Sequence, residues 1–392
     1  MSASLVFRTA SLGRRLVSTK APARPAQRRA VATSAAASKD DAPLQRALRT
    51  VDTGALMKGT EAKATTKTTK KKAVPKAEKA ASVAEPEPVV AAAASSAGGD
   101  ASDASDAADA FTLRGPEPQK FGVADGELAN VLTASGSFVT RAVSGALCEG
   151  WTPSIVEGAC PPGTYTLGEV GGRYIKETSD THKYPRPSAP IELYEFEGCP
   201  FCKKVREAVI WLDLDVLFFP CPQGGPTFRE QVKQEGGKSM FPYMKDPNTG
   251  VAMYESDDII DYLYDTYGPG KEKVSSLLRA GALTVLTAGF GLAPRMGAGS
   301  RYRAARMPEK PITVYSYEAS PFCKLVREKL VELEIPHLMK SCGRGSMKRQ
   351  ELVDRRGVFQ APYIEDPNTG TAMFESSAIV KYLEETYATA SE

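Results

Sequence analysis

From Ile191 onward the chain arranges apolar and polar residues in two alternating periods, and each switch between them predicts an element. Ile191–Phe196 alternates with period two, as a strand does, and Lys203–Leu212 has helical spacing that begins just after a proline. Val216–Phe219 predicts a second strand and Phe228–Glu235 a second helix. Pro242–Lys245 and Val251–Tyr254 flank "DPNTG", a run of turn residues suited to a hairpin connection. Asp257–Tyr267 closes the unit as a helix, giving the order βαβαββα.

The same pattern then returns. "IELYEFEGCPFCKKVRE" from Ile191 is echoed by "ITVYSYEASPFCKLVRE" from Ile312, and "FPYMKDPNTGVAMYESDDIIDYLYDTY" by "APYIEDPNTGTAMFESSAIVKYLEETY". Self-similarity on this scale implies a duplicated module. Upstream, "VLTASGSFVTR" from Val131 resembles "VLTAGFGLAPR" from Val285, so each unit reads as an apolar helix, a connection and a module. The longer first connection contains "TYTLGEVGGRYIKETS", which predicts a hairpin around Gly171-Gly172.

The first third follows neither period. Before Asp40 there is no acidic residue, while arginine, serine and alanine abound, the composition of an organellar transit peptide over residues 1–39. "RRAVATSAAAS" favours a chloroplast destination, with the mitochondrion as the alternative. Residues 40–110 hold almost no large apolar side chains, so a disordered linker is expected there. The expected organisation continues with a helix and hairpin-containing connection at 111–190 and a first module at 191–268. An apolar helix and linker follow at 269–311, and a second module at 312–388.

Bulk composition narrows the function classes. Of 392 residues 42% are hydrophobic and 25% charged, as in a soluble globular protein, and 50 basic residues nearly cancel 47 acidic ones. A nucleic-acid platform is therefore not indicated. No apolar run approaches the roughly 20 residues that span a bilayer as a helix. The apolar helices are expected to pack on the modules, with peripheral membrane contact as the lesser reading. Seven cysteines in so long a chain point to a few working thiols and not to a disulfide scaffold.

The working thiols are sought at "CPFC". Cys199 ends a strand-to-helix turn, where unpaired backbone N–H groups and the helix dipole favour a thiolate. Pro200 suits the first helical position, since its missing N–H has no helix partner. Phe201 covers the sulfur from one side, and Cys202, one turn on, can attack a mixed disulfide on Cys199. Lys203, Lys204 and Arg206 add positive field, some of them as solvated charges. No second cysteine pair stands at metal-ligand spacing, so no metal is expected. Cys221, with Cys342 as its counterpart, follows the second strand; it is read either as a third thiol near Cys199 or as a buried strand cysteine. Cys148, Cys160, His182 and His337 receive no role.

Element order and motif together resemble the thioredoxin fold in its glutaredoxin-like version, the N-terminal domain of glutathione S-transferases. The layout is similar to a plant and algal plastid family with two such domains in tandem. The resemblance implies an α/β fold of two thioredoxin-like modules and glutathione as co-substrate. It further implies a cis-proline at Phe241-Pro242 and at Ala361-Pro362, facing the active-site turn and pairing with an extended peptide. Glu255-Ser256 and Glu375-Ser376 match the pair that holds the γ-glutamyl group, Ser with the helix N-terminus taking the carboxylate and Glu the ammonium. The second module departs from the pattern, since "SPFC" leaves Ser320, Phe322 and Cys323 without the first thiol. Ser320 reads equally as a hydrogen-bond donor to a glutathione thiolate or as part of a structural copy.

The leading expectation is a plastid, glutathione-linked thiol–disulfide or deglutathionylating oxidoreductase acting through Cys199. Its partners would be glutathione and disulfide-bearing or glutathionylated plastid proteins. A non-catalytic scaffold binding glutathione or a protein is one alternative, and a glutathione transferase toward a small electrophile is another.

Overall fold

A computed structural model describes residues 110–389, except 120–121, 142–143 and 280. The expected transit segment 1–39 and all but the last residue of the expected linker 40–110 lie outside the described residues.

Ahead of the first module stand β1 (Thr112–Arg114), helices α1 (Leu128–Ala134) and α2 (Gly136–Arg141), and strands β2 (Thr152–Glu157), β3 (Glu169–Val170) and β4 (Arg173–Thr178). The last three form an antiparallel sheet in the order β2-β4-β3. Gly171 and Gly172 join β3 to β4 at φ of 62° and 70°, the positive values that a two-residue hairpin turn requires.

The first module comprises β5 (Ile191–Glu195), α3 (Pro200–Trp211), β6 (Val216–Pro220), α4 (Phe228–Gly236), β7 (Tyr243–Asp246), β8 (Val251–Met253) and α5 (Ser256–Tyr267). Helix α3 starts at Pro200, three residues before the apolar spacing shows it, because proline is tolerated at the first helical position. The core lies on both faces of the sheet. Ile191 and Leu193 of β5 pack against Val205 and Val209 of α3 and Ile259 and Leu263 of α5. On the opposite face Tyr194, Tyr243 and Cys221 cluster with Phe228 and Val232 of α4. Asp246, in the "DPNTG" turn, accepts hydrogen bonds from Tyr262 and Tyr267 and so ties the hairpin to α5.

Short helices α6 (Ser276–Arg279) and α7 (Ala282–Leu292) lead to the second module. It repeats the first as β9 (Ile312–Ser316), α8 (Pro321–Glu332), β10 (His337–Ser341), α9 (Lys348–Arg356), β11 (Tyr363–Asp366), β12 (Thr371–Phe374) and α10 (Ser376–Tyr387). The fold is α/β, two thioredoxin-like βαβαββα modules in tandem.

The two modules share one sheet. Strands β6 and β10, equivalent in the repeat, pair antiparallel, with His337 opposite Phe218, Leu338 opposite Leu217 and Met339 opposite Val216. β1 adds to the far edge, parallel to β12, giving a nine-stranded sheet in the order β1-β12-β11-β9-β10-β6-β5-β7-β8.

The upstream segments are exchanged. Helix α1, which precedes the first module, packs on α8 of the second, with Val131 and Ala134 against Leu325. Helix α7, which precedes the second module, packs on α3 of the first. The backbone agrees, since Leu147 bridges Arg344 while Arg301 bridges Gln223, the residue equivalent to Arg344. Covering the modules is the role expected of these helices. Among the described residues no helix is long and apolar enough to cross a membrane.

Candidate active site

Cys199 is the N-cap of α3, extended at φ −90° and ψ 117°, and its sulfur accepts the backbone N–H of Cys202 at 3.2 Å. The N–H groups of a helix start that lack a helix partner are a ready partner for an anion. Hydrogen bonding from the Cys202 side chain, reinforced by the backbone N–H groups of Cys202 and Phe201, holds the Cys199 thiol below its ordinary value. It does so against burial and the negative charge of Glu195. Cys202 is completely buried, and burial together with its hydrogen bond to Cys199 pushes its thiol well up. The pair is thus polarised into one thiolate-prone sulfur and one protonated sulfur behind it.

Of the residues assigned with Cys199, Phe241 and Cys202 lie against its sulfur. The peptide between Phe241 and Pro242 is cis, and the Phe241 carbonyl lies 3.9 Å from the Cys199 sulfur. The rings of Phe196 and Phe241 meet edge-on at 6.1 Å, and the guanidinium of Arg229 lies over both. Phe201 is half exposed. Glu255 precedes α5 with φ of 66°, an uncommon conformation for a residue with a side chain, and Ser256 behind it is buried. Glu375 repeats the conformation at 68°.

Three charges placed here as field sources have other partners, and none is solvated. Lys203 pairs with Glu318 at 2.6 Å, Lys204 with Asp257 at 2.5 Å, and Arg206 with Glu195, Glu197 and Glu318. For Lys203 and Arg206 the reason is the seam, where they meet Glu318 in the strand-to-helix turn of the second module, while Lys204 meets α5 of its own module. Glu197 receives Lys324 at 2.5 Å and Arg327 at 2.6 Å, mirroring the set around Glu318. Burial alone would raise both carboxyls; Arg206 and Arg327, with Lys324 and Lys203 respectively, bring Glu197 well below the usual range and Glu318 to about 2.

Cys221 sits in the aromatic cluster beneath α4, its sulfur against the Phe219 carbonyl at 3.4 Å. Burial pushes its thiol well up, and the same holds for Cys342. Both are packed strand-end cysteines, poor in thiolate.

In the second module Ser320 caps α8 as Cys199 caps α3, its oxygen accepting the Cys323 N–H at 3.2 Å. Ala361-Pro362 is again cis. Above Ser320 lies a cavity of about 260 Å³ walled by Tyr165, Tyr317, Phe322 and Phe359. Tyr165 comes from the connection before β3. Burial pushes its phenol up to about 12, leaving it to donate to Glu177 and accept from Arg349. Glu375 already accepts the backbone N–H of Gln119 at 2.8 Å and the side-chain amide of Gln360.

One residue beside the thiols escapes the sequence reading. Glu195 is the last residue of β5, on the same side as Ile191 and Leu193, and it is completely buried. The signal was present, since a glutamate stands at a core-facing position of the strand period.

The description "Glutathione S-transferase, N-terminal domain" matches residues 193–272 and 314–391. Two segments in tandem, one in each module, are thus similar to the N-terminal domain of glutathione S-transferases. No curated protein and no solved structure gives a significant match to the chain. The matched segments coincide with the two modules and contain both strand-to-helix turns and both cis-prolines.

Proposed function

We propose that the protein is a glutathione-linked thiol–disulfide oxidoreductase that works through Cys199. The observation that carries this reading is the capping geometry, a sulfur on the N-terminus of α3 with the Cys202 N–H at 3.2 Å and the protonated Cys202 thiol behind it. In the reaction the Cys199 thiolate attacks a disulfide or a glutathionylated thiol, forming a mixed disulfide and releasing one thiolate. Cys202 then attacks Cys199, releasing the second thiol and forming a Cys199–Cys202 disulfide that glutathione reduces, or a glutathione thiolate attacks the glutathione sulfur of a glutathionylated Cys199, releasing the Cys199 thiolate and glutathione disulfide. Two glutathiones become glutathione disulfide in each cycle. The backbone at Phe241-Pro242 and the Glu255-Ser256 pair are assigned to glutathione, the acidic carboxylate of Glu255 receiving its ammonium group.

The second module supports a binding role without thiol chemistry. Ser320 offers a hydroxyl in place of the first thiol, and burial raises the Cys323 thiol, so this copy lacks an activated nucleophile. The acid-free start of the chain supports a plastid location, tested by whether a tagged precursor is processed and imported into isolated chloroplasts.

The deciding experiment is a glutathione-dependent disulfide-reduction assay on the full chain. Turnover that is lost in Cys199→Ser supports the oxidoreductase. Full activity in Cys199→Ser would leave the binding scaffold as the better reading.

A further inference from the structure

The two copies of the repeat share one buried charge network, and a single member of it has no counterpart. The pair Arg141–Glu207 is mirrored by Arg295–Glu328, Lys203 by Lys324, Arg206 by Arg327 and Glu318 by Glu197. Glu195, which pairs with Arg206, stands alone, because the equivalent residue in the second module is Ser316. These six cations therefore meet five carboxylates. One buried positive charge is left without a carboxylate to balance it among the described residues.

The geometry puts that charge on Arg327. Arg206 gives its Nε to Glu318, its Nη2 to Glu197 and its Nη1 to Glu195. Arg327 repeats the first two contacts, with Nε on Glu197 at 2.6 Å and Nη2 on Glu318 at 3.1 Å. A guanidinium is planar and rigid, so fixing two of its nitrogens fixes the third. Arg327 Nη1 is thus directed toward position 316 as Arg206 Nη1 is directed toward Glu195. It is buried there with no hydrogen-bond partner among the described residues, on a side chain that is 4% exposed.

The surroundings of position 316 are changed to match. Serine is three heavy atoms shorter than glutamate, which leaves room in front of Nη1. Ser316 continues the period of Ile312 and Val314, which pack on Val326 and Leu330 of α8, the helix that carries Arg327. Ser341 lies in register with Ser316 on the neighbouring parallel strand, so the two side chains share that face at a strand spacing of about 4.8 Å. The Ser341 hydroxyl is completely buried and also has no hydrogen-bond partner among the described residues. Its equivalent in the first module is Pro220. Where the first module has a carboxylate and a proline, the second has two hydroxyls and an unbalanced guanidinium.

We propose that the second module binds a monovalent anion, chloride in ordinary media, between Arg327 Nη1 and the hydroxyls of Ser341 and Ser316. The ion takes the place that the Glu195 carboxylate fills in the first module. A water molecule would satisfy the same donors but leave the positive charge, and an uncompensated buried charge is strongly destabilising. An anion answers both needs. A divalent oxyanion is larger and would overbalance a single charge. This site is independent of the chemistry assigned to Cys199, and neither reading depends on the other.

The test melts the full chain in sodium chloride and in sodium gluconate at equal ionic strength, gluconate being too large to enter. In gluconate Arg327 keeps its unbalanced charge, and in chloride the bound ion offsets it. An ion held by the folded chain alone raises the melting temperature with its concentration, by about 5 °C at a hundredfold excess over Kd for a chain of this size. Bromide should act as chloride does. Ser316→Glu supplies the carboxylate from the chain itself, so its melting temperature should be the same in both salts, which separates the site from general salt effects. Ser341→Ala removes one donor and should require about tenfold more chloride for the same shift. Crystals of the parent grown in bromide should show an anomalous-scattering peak between Arg327 and Ser341, a measurement that does not depend on any variant folding. Equal chloride dependence in the parent and Ser316→Glu would overturn the proposal. Bromide crystals with water alone at that position would overturn it too.

Discussion

Leu217 and Leu338 face each other across antiparallel strands, and each occupies the same place in its own copy of the repeat. A contact that pairs equivalent positions reciprocally is the arrangement of a two-fold dimer, here formed within one chain. It joins the two second-strand edges, which would otherwise present unpaired backbone to other chains. The charges beside the seam and the exchanged helices α1 and α7 obey the same symmetry.

That symmetry makes Glu318 and Glu197 the most consequential charges in the molecule. Each accepts from cations of both modules, and each is almost completely buried. Removing one partner of a buried network leaves its cations uncompensated, so Glu318→Ala should cost about 3–5 kcal/mol. Urea unfolding should show this as a lower midpoint. The exposed pair Arg173–Glu157 is the control, and Glu157→Ala should leave the midpoint unchanged.

His337 makes the seam acid-sensitive. It is buried, its ring stacks on Phe218 at 5.3 Å and 10°, and burial lowers its pKa from 6.5 to about 4, with Arg327 and Arg206 adding to the effect. The unfolded chain binds this proton below pH 6.5 and the folded chain only near 4, so stability falls as pH drops through that window. The loss should total about 3 kcal/mol and level off below pH 4. His337→Phe should flatten this part of the profile when melting is followed between pH 7 and 4.

Most of this architecture could be read in the sequence because it is local or repeated. The strand and helix periods place β5 to α5 within a few residues, Gly171-Gly172 marks its hairpin, and the duplicated "PFC" segment marks both thiol turns. The seam could not be read in the same way. Lys203 and Arg206 look like solvated charges until Glu318, more than a hundred residues away, supplies the compensating carboxylate. The exchange of α1 and α7 was hidden too, because two equivalent apolar helices fit two equivalent modules equally well and periodicity does not say which covers which. Exposed β2 carries no apolar alternation and gave no signal.

The thiols should separate by environment. Cys199 is held below the ordinary thiol value by hydrogen bonds, while burial raises Cys202, Cys221, Cys323 and Cys342. Iodoacetamide at mildly acidic pH, with the product mapped by mass spectrometry, should modify Cys199 first among these five. Cys221 and Cys342 should react only on unfolding. Modification of Cys221 in the native chain ahead of Cys199 would contradict the assignment of the attacking sulfur.

Ser320→Cys gives the sharpest comparison between the copies. The new sulfur would take the place of a hydroxyl that already accepts the Cys323 N–H at 3.2 Å, so the helix-start stabilisation of a thiolate is in place. Two charges then differ from the first module. Glu195, which raises the Cys199 thiol, has no counterpart at Ser316, and the unpartnered Nη1 of Arg327 adds positive field. Both act in one direction, so the introduced thiol should ionise at a lower pH than Cys199, measured by thiolate absorbance in a chain carrying Cys199→Ser. Attack should therefore be easy and resolution slow, since burial keeps the Cys323 thiol protonated. The variant should accumulate as a mixed disulfide visible by mass spectrometry, and adding Ser316→Glu should raise the pKa of the introduced cysteine. A Ser320→Cys thiol that ionises above Cys199 would show that the carboxylate at position 195 does not set the difference between the copies.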